Sequence, residues 1–277
     1  DMKLLTLIDK KVNNNIELTL DELKFLYKRG HKITGFGYWE DPRIKEIKRK
    51  RNERRDYSLI FNVKEEEVAL SQEEWLNNPE KFKALTRSID LGSLTSADGL
   101  VLPQYVGGHI YLGHLTNADG LVLPQHVGGH IYLDYLTNVD GLVLPQYIGG
   151  DLFLRSLESA KGLIFPQHVG GLIYLSSLTS AEGLVLPQHI GGGIDLGSLT
   201  SAEGLVLPQH VGGVINLRSL TSAEGLVLPQ HVGDFIYLGS LTSADGLVLP
   251  HYFDLNKLEC PYNIKEEIMN NPDKYYM

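Results

Sequence analysis

In residues 109 to 113, His-Ile-Tyr-Leu-Gly, the apolar side chains Ile110 and Leu112 alternate with residues of changing character. The same alternation returns at Ile131 with Leu133, and continues to Ile236 with Leu238. A period of two predicts a strand with one buried face. Between these stretches stands Leu-Val-Leu followed by proline, which cannot donate to a ladder, so a second short extended piece is predicted there. Gly-Gly and Ala-acid-Gly separate the two pieces and are predicted to turn through positive φ.

The pattern repeats at a fixed interval. Prolines at 103, 124, 145, 166, 187, 208, 229 and 250 fall 21 residues apart, and SLTSAEGLVLPQH stands verbatim at 177–189, 198–210 and 219–231. Such a period marks a repeat architecture. One unit cannot bury its own leucines, so neighbouring units must stack, pairing parallel strands about 4.8 Å apart into a rod on the order of 38 Å long. The predicted fold is mainly β: a parallel β-solenoid, or β-helix, of about eight 21-residue coils over residues 88–253. A small α/β domain precedes it (1–87) and a helical cap follows (254–277).

The flanks carry their own signals. SQEEWLNNPEKF (71–82) and KEEIMNNPDKYY (265–276) share Glu-Glu-apolar-apolar-Asn-Asn-Pro-acid-Lys-aromatic, which predicts a short helix beside each end of the rod. In the front, Thr19 with Glu22 forms a capping box opening a helix through LDELKFLYKR, with Gly30 as its stop. Asp41-Pro42 suits the cap and first position of a second helix, PRIKEIKRKRNERR, followed by a strand-like YSLIFNV.

The coil, with Leu-Thr-Ser-x-x-Gly-Leu, Val-Gly-Gly-x-Ile-x-Leu and Leu-x-x-Leu, resembles the leucine-rich-repeat-like β-helices of the receptor L-domain type and related bacterial solenoids. Gly-Gly stands where standard leucine-rich repeats carry Asn, which favours a straighter β-helix over a horseshoe. The resemblance implies a ligand- or protein-binding scaffold and brings no catalytic residue with it.

Charge divides the chain. Residues 1–89 hold 19 basic and 16 acidic groups, residues 90–277 hold 6 and 18, and the whole carries −9. A general nucleic-acid coat is therefore disfavoured. Cys260 is the single cysteine, so no internal disulfide can form. The apolar run near the start is too short for a signal peptide's core, and no stretch approaches the ~18 apolar residues of a spanning helix. A cytoplasmic, intracellular protein without membrane association is expected.

In a solenoid each repeat position becomes a column. The acidic column is Asp98, Asp119, Asp140, Lys161, Glu182, Glu203, Glu224 and Asp245; it collects a basic partner or cations, or each acid caps a bend through backbone amides. The column Tyr105, His126, Tyr147, His168, His189, His210, His231 and Tyr252 raises zinc, but parallel stacked rings do not offer a tetrahedral shell readily, and an aromatic ladder that weakens near pH 6 is expected, with no metal or cofactor.

The outward strand positions vary most. His109, Tyr111, His130, Tyr132, Asp151, Phe153, Arg155, Tyr174, Phe235 and Tyr237 form the expected partner-binding face, rich in residues that anchor interfaces. The basic stretch Arg43–Arg55 holds eight Lys or Arg, and Lys45, Lys48, Arg49, Arg51, Arg54 and Arg55 are candidates for phosphates or an acidic partner.

No Walker loop, GxSxG, HExxH, CxxC pair or calcium nonapeptide appears. The expected function is non-enzymatic: a binding scaffold offering its strand face to a protein partner. The alternatives are nucleic-acid association through residues 42–55, and an enzyme whose site uses front residues such as Asp41, Arg43, Arg51, Arg54 and Asp56.

Overall fold

A computed structural model describes residues 1–27, 41–251 and 253–276. Gly30 and Tyr252 lie outside the described residues, as do the last residues of LDELKFLYKR.

The chain is a parallel β-solenoid flanked by helices. Sheet A runs from Val68–Ala69 through Ala84–Leu85 and Tyr105–Val106 to His231–Val232, and sheet B from Ile89–Asp90 through Ile110–Tyr111 to Ile236–Tyr237 and Leu258–Glu259. Each repeat residue pairs with its counterpart one coil on, as in Ile110↔Ile131 and Tyr111↔Tyr132. The ladders reach beyond the repeats at both ends, where Val68 pairs with Ala84 and Ile236 with Leu258. Leu-Val-Leu makes a third, looser side with scattered bridges, Ile164↔Val185 and Val227↔Val248.

Every coil sends the same side chains inward. In the second complete coil these are Val127, Ile131, Leu133, Leu136, Val139, Leu142 and Leu144, all buried in one continuous core. The two predicted glycine turns differ in kind. Positive φ falls on the glycine of Ala-acid-Gly in all eight coils, from 72° at Gly99 to 88° at Gly162, and not on Gly-Gly. The pair is needed for a different reason: a Cβ on Gly170 would stand 2.3 Å from the Gly149 carbonyl oxygen of the coil before it. Adjacent coils touch backbone to backbone at this corner.

The front is helical: α1 (Met2–Asn13), α2 (Leu20–Tyr27), α3 (Pro42–Arg49) and α4 (Glu53–Phe61). The capping box at Thr19 forms, with the Glu22 carboxylate accepting from Thr19 N at 2.8 Å and Thr19 Oγ1 accepting from Glu22 N at 3.3 Å. Two expectations are corrected. The single basic helix over 42–55 is broken, because Asn52 caps a new helix by accepting from Arg55 N at 3.1 Å. YSLIFNV is mostly helix rather than strand. Tyr57 is buried, while Leu59, its period-two neighbour, is 52% exposed; Asn62 at φ 53° then ends the helix. Tyr57 and Phe61 lie one helical turn apart and face sheet A, where Phe61 stacks on Tyr105 at 4.4 Å. Gly107 makes this docking possible, since its Cβ would meet the Tyr57 hydroxyl at 2.5 Å.

Both ends are covered. At the start, α5 (Gln72–Asn77) buries Trp75 in the solenoid core, and the Gln72 amide both donates to Asp90 O (3.0 Å) and accepts from Asp90 N (2.7 Å), pairing with the outermost strand of sheet B. Arg54 donates to Val68 O on the outermost strand of sheet A. At the far end, α6 (Tyr262–Asn270) and α7 (Pro272–Tyr275) bury Ile264, Ile268 and Tyr275, and Lys257 Nζ binds Val232 O at 2.6 Å on the last strand of sheet A. Side chains thus take up strand-edge groups that would otherwise invite a further strand.

Candidate functional site

The outward face of sheet B is ordered by three columns. In the first, each side chain accepts the backbone amide of the next coil: Ser88 Oγ from His109 N (3.0 Å), His109 Nδ1 from His130 N (2.9 Å), His130 Nδ1 from Asp151 N (2.7 Å) and Asp151 Oδ1 from Leu172 N (2.7 Å). Accepting at Nδ1 places the neutral imidazole proton on Nε2. These residues hold the coils together. In the second column, Tyr111, Tyr132, Phe153 and Tyr174 stack at 4.6, 4.4 and 4.6 Å, with planes within 11° of parallel. The stack uses up ring faces, so Phe153, expected to be exposed, is only 7% exposed and the half-buried tyrosines present ring edges outward. In the third column Arg155 pairs with Asp134 at 2.7 Å and lies 4.4 Å from the Phe153 and Tyr174 centroids. Past Tyr174 the stack stops at Asp195, which accepts from the Asn216 amide (2.7 Å) and Ser176 Oγ (2.9 Å). Tyr237 sits beneath Arg218, next to Phe235 at 38% exposure.

The histidine column lies outward on sheet A. His126 stacks on Tyr147 at 4.3 Å, and His210 on His231 at 4.4 Å. Burial holds His126 neutral down to about pH 4. Burial also lowers His210, with its neighbours His231 and His189 adding to the effect. Among the described residues, no group of three His, Cys, Asp or Glu is placed to hold a metal ion.

The basic stretch is largely committed within the chain. Arg51 makes two bonds to buried Asp56 (2.6 and 2.7 Å), whose Oδ2 also accepts from the Tyr27 hydroxyl (2.7 Å). Arg54 ties Glu74 at 2.8 Å to the sheet edge, and Arg55 reaches Glu17 at 2.8 Å. Lys48 lies 5.3 Å from the Tyr27 ring, and Arg43 clamps Asp41, whose carboxyl it holds below the usual range. Lys45 and Arg49 are exposed and have no ion pair among the described residues. The polar groups that suggested an enzyme site therefore each have a structural partner.

The acidic column stands on a corner of the coil. The side chain that caps the turn is the serine or asparagine two residues earlier: Ser222 Oγ accepts from Glu224 N at 3.2 Å, and the same bond recurs from Ser96 with Asp98 to Ser243 with Asp245. This corrects the expectation that the carboxylates do the capping; they project into solvent. Lys161 pairs with Glu182 at 3.2 Å, and Asp245 with Lys274 at 2.8 Å.

A further surface was not anticipated. The middle residue of Leu-Val-Leu points outward in every coil, and Val101, Val122, Val143, Ile164, Val185, Val206 and Val227 are 50–80% exposed. They form an aliphatic ridge that, with Val248, runs about 34 Å at about 4.8 Å per coil. It stands three residues from the acidic row, within about 10 Å by chain length. The available signal was the alternation itself: two inward leucines leave the residue between them outside, where an apolar side chain at all eight repeats is unusual. No helix among the described residues is long and apolar enough to cross a membrane.

Comparison of the chain with protein-family models, curated proteins and solved structures gives no match.

Proposed function

We propose that this protein is a non-enzymatic scaffold whose solenoid docks an elongated protein partner along the Val101–Val248 ridge. The observation that carries this reading is the aliphatic row kept at one position through all eight coils, exposed in seven and half-buried at Val248, beside an exposed column that is carboxylate at every step but Lys161. Exposed apolar stripes of this extent mark interaction surfaces. The neighbouring acids suit a partner with an apolar strip flanked by lysine or arginine. We take the coil to be leucine-rich-repeat-like and the setting to be intracellular, in keeping with one cysteine and no disulfide.

The outward face of sheet B gives the second reading, favoured by the half-buried tyrosines of its rigid stack: ordered aromatic anchors bind with little loss of conformational freedom. Photo-crosslinkers at positions 143, 185 and 206, compared with positions 132 and 174, separate the two. A basic protein captured from the ridge positions, lost in a Val143→Ser, Val185→Ser, Val206→Ser variant and weakened by salt, supports ridge docking. Capture from 132 and 174 alone moves docking to the tyrosine stack. Nucleic acid recovered with both variants and released by salt would overturn the scaffold reading in favour of residues 42–55.

A further inference from the structure

Where the front meets sheet A, the helices do not fill the space between them and the first coils. A half-open cleft of about 420 Å³ remains. Tyr27, Tyr57 and Phe61 wall it from the helical side, and His126 and Tyr147 from the sheet. Gly107 and Gly128 of the sheet A corner complete its lining. The rings touch in sequence: Tyr27 edge-on to Tyr57 at 5.1 Å, Tyr57 to Phe61 at 5.7 Å, Phe61 edge-on to His126 at 5.1 Å, and His126 face to face with Tyr147 at 4.3 Å. A volume of this size is typical of small-molecule sites.

Hydrogen-bond bookkeeping singles out two of these groups. The Tyr27 hydroxyl is taken by Asp56. The His126 ring nitrogens and the Tyr147 hydroxyl have no hydrogen-bond partner among the described residues, although burial alone perturbs both groups, lowering His126 and raising Tyr147. The contrast with His109 and His130 is direct, since each of those accepts a neighbouring amide. Both side chains are half-buried and keep these polar atoms accessible, so a ligand in the cleft can hydrogen-bond them directly. Lys24 supplies a cation to the lining and is exposed; among the described residues it has no ion pair and no carboxylate lines the cleft.

We infer that this cleft binds a planar aromatic anion, its rings against Phe61 and Tyr57, its polar edge hydrogen-bonded by His126 and Tyr147, and its acid group met by Lys24. Apolar walls with a few convergent polar groups are the usual composition of such sites. A cationic ligand would be repelled by Lys24. The inference is independent of docking on the ridge, which lies on another side of the coil.

Titration calorimetry of the full chain with 2-naphthoate and with 2-naphthylmethylammonium at pH 7.5 tests it. The expected result is one saturable site for the carboxylate, at least about tenfold tighter than for the ammonium. Lys24→Gln and Tyr147→Phe, which keep the packing, should each weaken the carboxylate about five- to tenfold. Binding should persist in the ridge variant Val143→Ser, Val185→Ser, Val206→Ser. No saturable binding at millimolar ligand, equal binding of both probes, or indifference to both cleft variants would overturn the inference.

Discussion

Glu22, Asp41, Asp56, Ser58 and Thr86, the buried polar side chains among the described residues, all precede the first full repeat, whereas the buried hydrophobic residues from Val106 to Leu249 are Leu, Ile, Val and Ala, with Phe153 of the sheet B stack. The front is held by a few directional contacts, such as Asp56 with Arg51 and Tyr27. The solenoid is held by the same contact made in every coil. Local failure and graded weakening are the two expected responses to damage, and each can be measured.

The largest effect is expected at Asp56. Asp56→Ala strands the Arg51 guanidinium and the Tyr27 hydroxyl, at a cost of about 3–5 kcal/mol. Hydrogen exchange should then show α1 to α4 unprotected while residues 110–240 stay protected; uniform loss along the chain would erase the distinction between the regions.

Acid comes next. His126 is neutral when folded and free to protonate when unfolded, so the unfolded chain binds more protons between pH 6.5 and about 4. Stability should fall through that window by on the order of 2–3 kcal/mol and then level off for this group. Glu22 and Asp41 act lower down. Burial works to raise the Glu22 carboxyl, but Lys11 and the Thr19 amide hold it below its usual 4.5; Arg43 holds Asp41 below 3.8. Their contributions are present at neutral pH and are lost as pH falls below those ordinary values. His126→Phe keeps the ring stack and should remove the upper phase of the titration. His210 adds a smaller loss in the same direction, within the rod.

Glycine substitutions test the solenoid from within. Gly170→Ala drives a methyl group toward the Gly149 carbonyl and should cost about 1–3 kcal/mol. Gly225→Ala meets no neighbour within 4 Å but sits at φ 78°, so about 1 kcal/mol of backbone strain is expected. Thermal melting of the two variants ranks close approach against conformation. The smallest effect belongs to Arg55→Ala, which removes an exposed pair with Glu17 and should change stability by no more than about 1 kcal/mol.

The repeat was legible because each coil meets its own copy, so one environment writes one sequence eight times. Ile110 and Leu112 announce their burial through period two, and Asn-Asn-Pro announces the ends of α5 and α6. YSLIFNV misled because Tyr57, Leu59 and Phe61 alternate like a strand, while the deciding contacts, Tyr57 over Gly107 and Phe61 on Tyr105, are distant in sequence. In the basic stretch, the partners of Arg54 and Arg55, Glu74 and Glu17, are distant in sequence and could not be read from it. The aliphatic ridge was hidden in a run of three apolar residues that reads as core throughout. The stacking of Phe153 between its neighbours depends on ring geometry, which composition does not encode.

The end caps have a consequence for size. The strand-edge bonds of Gln72, Arg54 and Lys257 are made at the outermost strands, and every interior coil joins the next by the same register of 21 residues. A whole coil inserted or deleted between them leaves both termini satisfied, whereas a partial one would misplace every glycine corner beyond it. The rod therefore behaves as a molecular ruler, graduated in steps of about 4.8 Å, whose length can change without redesigning either end.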